Sequence, residues 1–146
     1  MKNHLAKIFV RDFGFVKEEI EAYDDESLIW KVEGEIANSA GNLCLHLAGN
    51  LNHFIGAKLG GSGYVRDRDA EFTDMDISKA ELINRLDDAS KIVEQTLTNL
   101  PDKKLEEDFT GVPFFEGKKV GYVLLHLLSH LNYHLGQINY HRRLVS

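Results

Sequence analysis

Apolar residues recur at steps of three and four over four stretches of the chain, the spacing that gives a helix one buried face. Between about Asn3 and Tyr23 the stripe is Leu5, Ile8, Phe9, Phe13, Val16 and Ile20, and the acidic run Asp24-Asp25-Glu26 ends it in solvent. From Ser27 to Ile36 the spacing drops to two: Leu28, Trp30 and Val32 alternate with other residues, which predicts an extended connector. A second helix is predicted from Asn38 or Ser39, both good N-caps, to about Lys58, where Gly60-Gly61-Ser62-Gly63 stops it. The charged stretch Tyr64 to Phe72 reads as a loop, too charged to be buried without pairing. Ser78-Lys79-Ala80-Glu81 fits a capping box and opens a third helix that Pro101 closes after Asn99. The fourth runs from about Lys119 to Arg143. Four helices of about 20 residues, each about 30 Å long, predict an all-α four-helix bundle with long connectors.

Length adds that one domain, 1–146, accounts for the whole chain. The 23 acids against 17 bases give a net charge of −6, which speaks against nucleic acid or an anionic membrane as partner. The single cysteine, Cys44, excludes a disulfide framework and a cysteine-rich zinc module. A cytoplasmic chain is expected, because no signal-peptide core is visible after Met1.

Charge distribution then separates the helices into two kinds. Neither Asn38–Lys58 nor Gly117–Ser146 contains a carboxylate. Their apolar residues are interspersed with Asn, His, Gln and Ser, as in interior helices that face a polar site or a subunit interface. The neutral run from Val120 to Tyr140 has the length of a membrane span, but its three histidines, two asparagines, Gln137 and Ser129 make insertion in hydrocarbon costly.

Seven histidines stand out, and His126, His130 and His134 recur every four residues. At 100° per residue from Val120, the core stripe Leu124, Leu127, Leu131, Leu135 and Ile138 spans about −20° to +60°. His134 and His130 border it at about −40° and −80°, with His126 further out at about −120°. Two imidazoles at i and i+4 can reach one metal ion. On the second helix, His46 and His53 both point inward, either able to be the third ligand, with Asn50 beside them. Neutral imidazole suits zinc, nickel, copper or iron(II), while the lack of Glu-x-x-His in these helices excludes a di-iron carboxylate site. The same pattern also fits hydrogen-bonded core histidines. His4 and His141 read as surface residues, and Cys44, at about 140° on its helix, as a small apolar one. Gly136, costly in a helix interior, predicts a close helix approach.

Asn42-Leu43-x-x-His46-Leu47-x-Gly49-Asn50-Leu51, the segment Arg66-Asp67-Arg68-Asp69-Ala70-Glu71-Phe72, and His130-x-x-x-His134-x-Gly136-Gln137-Ile138 together resemble the DinB-like superfamily of small four-helix-bundle proteins, also called the thiol-transferase-like group. The resemblance covers most of the chain, in the same motif order. It implies one divalent metal, zinc or nickel, on His46, His130 and His134, with His53 the alternative on the second helix. It also implies a homodimer, and an activity in which the metal activates a low-molecular-weight thiol, or water, for transfer to a small electrophile. A non-catalytic metal-binding or stress-related interaction protein is the alternative. Asn50, His53 and Gln137 are candidates for orienting the ligand imidazoles, and Arg66 and Arg68 for holding an anionic cosubstrate. No catalytic acid or base is assigned.

Overall fold

The structure, a computed structural model, describes residues 1–146 and is helical throughout, its one extended pairing a bridge between Asp108 and Lys119. There are five α-helices: α1 (Lys2–Glu21), α2 (Ala40–Leu51), α3 (Arg68–Thr73), α4 (Lys79–Asn99) and α5 (Val120–Val145). A π-helical stretch, Asn52–Leu59, continues α2, and 3-10 turns occupy Glu26–Trp30, Asp102–Glu106 and Pro113–Phe115. No helix is long and apolar enough to cross a membrane.

The expected stripes build the core. Leu5, Phe9, Phe13, Val16 and Ile20 of α1 join Leu82, Leu86, Val93 and Leu97 of α4 and Leu124, Leu127, Leu131 and Ile138 of α5 in one cluster of 31 buried apolar residues. Both expected N-caps form, Ser39 accepting from Asn42 N–H and Ser78 from Glu81 N–H, but the reciprocal half of the capping box does not. Glu81 itself turns to Arg85, 3.0 Å away.

Polar links fix the helix directions. Lys2 donates to the Thr98 carbonyl, Lys17 pairs with Asp87 and Lys79 donates to the Glu21 carbonyl, so α1 and α4 run antiparallel. Asn132 donates to Asp12, and both Asn139 and Arg142 donate to Glu19, so α1 and α5 run parallel. Gly56 lies against Ile92 and Gly60 against Thr96, so α2 and α4 run parallel. Residues 60–78 must therefore travel back along the helices to connect α2 to α4. An extended chain covers about 3.3 Å per residue, which leaves slack for a short helix on the way.

Three expectations are corrected here. Ser27–Ile36 is not wholly extended: Asp25 accepts from Ser27 N–H and starts a 3-10 turn that buries Ile29 and Trp30 together. The charged stretch is not simply a loop, because Asp67 caps Ala70 N–H and nucleates α3. His141 is not at the surface. It is 4% exposed, accepts at Nδ1 from the Tyr23 hydroxyl (2.6 Å) and donates from Nε2 to the Lys31 carbonyl (2.8 Å).

Candidate metal centre

Every residue of α2 is buried. Small residues make this possible: a Cβ at position 41 would stand 2.7 Å from the Trp30 ring, and one at position 49 would land on the Glu71 carboxylate. α2 can thus have Trp30 on one side and α3 on the other. Asn42 donates to the carbonyls of Glu71 (3.1 Å) and Asp74 (2.8 Å), tying the end of α3 to the start of α2.

α3 brings Glu71, 5% exposed, against His46. Its carboxylate receives Arg66 through two bonds, Nε at 2.8 Å and Nη2 at 2.9 Å, and lies 3.0 Å from His46 Nδ1. Burial pushes the Glu71 carboxyl up, but the hydrogen bonds from His46 and Arg66 outweigh it and hold the group below its ordinary value. A carboxylate only accepts, so the network places the His46 proton on Nδ1 and leaves the Nε2 lone pair free.

On α5, His134 Nδ1 sits 2.6 Å from Gln137 Oε1, again an acceptor, so His134 too presents a bare Nε2. Between them stands His130, whose Nε2 is 3.2 Å from His46 Nε2 and 3.1 Å from His134 Nε2. One proton on His130 Nε2 can serve one neighbour, which leaves the other neighbour's lone pair without a donor. A cation reached by all three removes that deficit. Nitrogens bound at 2.0–2.1 Å to one ion stand about 2.8–3.0 Å apart in octahedral geometry and about 3.3–3.4 Å apart in tetrahedral geometry. The two separations from His130 Nε2, 3.2 and 3.1 Å, fall between these values, and the ligand atoms of the trio all lie within 4.8 Å of one another. The donor set therefore fits a divalent metal. Burial first, then the neighbouring His134 and His46, lower His130 to about 4, and burial lowers His134 despite its bond to Gln137. Both stay in the neutral form that ligates.

The structure thus brings together His46, His130 and His134, with Gln137 orienting one ring. His53 stands apart on the π-helical stretch, its ring 4.8 Å from Phe54. Asn50 is buried near the trio but bonds no imidazole, and its Oδ1 and His130 Nδ1 are the two buried side-chain polar atoms without partners. Arg66 is engaged with Glu71, whereas Arg68 forms no ion pair and lies 5.1 Å over the Phe72 ring. His126 is exposed, packed on Phe115 at 5.5 Å. Cys44 is buried, and burial pushes its thiol up to about 12, which leaves no reactive thiolate. No helix closes on Gly136: a Cβ there would meet nothing within 4 Å. The residue that sequence reasoning missed is Glu71. Its signal was the charged stretch itself, which could be buried only by pairing.

A family model described as "Protein of unknown function (DUF1572)" matches residues 4–146. The chain belongs to the DUF1572 family. All three histidines, Arg66, Glu71 and Gln137 lie inside the matched DUF1572 region. No curated protein and no solved structure matches the chain.

Proposed function

We propose that this DUF1572 chain is a DinB-like metal protein holding one divalent ion, zinc or nickel, on His46, His130 and His134. In this reading α1, α2, α4 and α5 are the four-helix bundle of that superfamily and α3 is an addition to it. The observation that carries the proposal is the convergence of three Nε2 atoms, with two of the rings fixed by acceptors at Nδ1. A bound ion supplies Lewis acidity that lowers the pKa of a coordinated thiol or water. The chain's own part is to aim the three imidazoles and, by burial, to keep His130 and His134 neutral. The reaction class is attack by a low-molecular-weight thiol on a small electrophile. The sulfur forms the new bond, the leaving group departs with its electron pair, and the thiol proton passes to solvent.

One observation favours a second reading, a metal protein without turnover: Glu71, the carboxylate at the site, is fully engaged by Arg66 and His46 and is not free as a base. Elemental analysis of protein purified without chelating resin or a histidine tag tests the shared premise. About one zinc or nickel per chain is expected, lost in the double variant His130→Ala, His134→Ala. No metal after reconstitution removes both readings. With metal present, consumption of an electrophile only when a thiol is added separates the first from the second.

We further propose a homodimer through α5. Tyr122, Leu125, Tyr133, Tyr140 and Leu144 are each more than half exposed and follow one another at helical spacings, with Ser129 and Gly136 between them and no carboxylate on the helix. A second copy presents the same neutral stripe. Sedimentation should give a dimer for the native chain and a monomer for Tyr140→Glu; a native monomer ends the idea.

A further inference from the structure

A cavity of about 390 Å³ lies beside the trio, bounded by His46 and His130 at one side. Phe54, Phe114 and Phe115 line it, and the Phe54 and Phe115 rings meet edge to face with centroids 5.4 Å apart. Two guanidinium groups also line it, in different electrostatic states. The charge of Arg66 is matched by Glu71, but no carboxylate pairs with Arg68, and no Asp or Glu lines the cavity. An unbalanced positive charge beside an apolar wall selects for an anion with an apolar body.

Asn50 is the second, independent observation. It lines the same cavity, is only 7% exposed, and its carboxamide makes no hydrogen bond to the chain. The buried Oδ1 is an acceptor that an anion leaves unpaired, so what the amide offers the cavity is its Nδ2, which bonds nothing in the chain. With one free guanidinium and one amide offering N–H donors, the complement is a planar group of single negative charge.

We propose that this cavity binds a small organic carboxylate with a ring-sized apolar body, the carboxylate held by Arg68 and the Asn50 amide and the body packed against the phenylalanines. The proposal rests on the metal reading only in what the ligand faces at the histidine side.

The probes are phenylacetate, acetate, which lacks the ring, and 2-phenylethanol, which lacks the charge. Their binding to the full chain is followed by NMR titration, with the zinc content of every sample measured. Phenylacetate should bind at least about tenfold more tightly than either of the others. Its affinity should fall about tenfold in Arg68→Met and about fivefold in Asn50→Leu, with zinc content unchanged. Failure of phenylacetate to bind the zinc-loaded native chain overturns the inference. So does binding that both variants leave untouched, since the anion then sits on the metal alone; the metal reading survives both results. A chain that takes up no zinc yet keeps Arg68-dependent phenylacetate binding overturns the metal reading and supports the cavity.

Discussion

Glu71 is the residue on which the orientation of His46 depends. Its carboxylate stands between a guanidinium and an imidazole, all three nearly buried, with side-chain exposures of 6% for Glu71, 11% for Arg66 and 8% for His46. Replacing it with glutamine keeps an acceptor but removes the charge that Arg66 neutralises and that favours a proton on His46 Nδ1. Partners of this kind typically contribute 10–100-fold to metal affinity. Glu71→Gln should therefore weaken zinc binding by about that factor, measured by competition with a chromophoric chelator, while circular dichroism reports whether the helices persist. The pair His130 and His134 was legible in sequence because both sit on one helix at i and i+4. The choice between His46 and His53 was not legible, since angle around a helix does not set level along it. Seven residues separate the two by about 10.5 Å on an ideal helix, and only His46 meets Glu71. His141 was misread although the signal was present: at about −60° it falls between His134 and His130 on the same wheel, which points it inward.

At the scale of elements, α2 and α3 fit only because position 49 lacks a side chain. A methyl there occupies the space of the Glu71 carboxylate, so Gly49→Ala must push α3 away and separate Glu71 from Arg66 and His46. The expected loss is about 2–4 kcal/mol in denaturant unfolding, from overpacking plus a disrupted buried ion pair. Gly136→Ala is the control: with open space around its Cβ, the better helix former should stabilise α5 by up to about 1 kcal/mol. Equal responses at the two positions would refute the steric account. The long amphipathic helices α1 and α4 were legible because periodicity and caps are local. α3 was not, because a six-residue helix carries too few apolar positions to show a period and is held by Asn42 and Glu71 contacts made at a distance in sequence.

At the scale of the whole molecule, the sequence shows long connectors without their routes. The parallel arrangement of α2 and α4 gives one of them its reason. Residues 60–78 have to run the length of the helices, and on that path they pass the level of His46, where α3 delivers Glu71. Helix direction is a property of long-range pairs such as Asn132 with Asp12, which no local pattern contains.

The same connector divides the candidate ligands. Gly61–Val65 is exposed throughout, the kind of segment proteases cut first. A single cleavage there would leave His46 on one fragment and Arg66, Glu71, His130 and His134 on the other. The nicked species should run as one particle in gel filtration and come apart more readily once a chelator is added, whereas the intact chain should only lose stability. If the chelator makes no difference, no ion spans the two pieces. Cut at that point, the three imidazoles cease to be an interior detail and become a clasp between two polypeptides, whose strength can be titrated as an association constant.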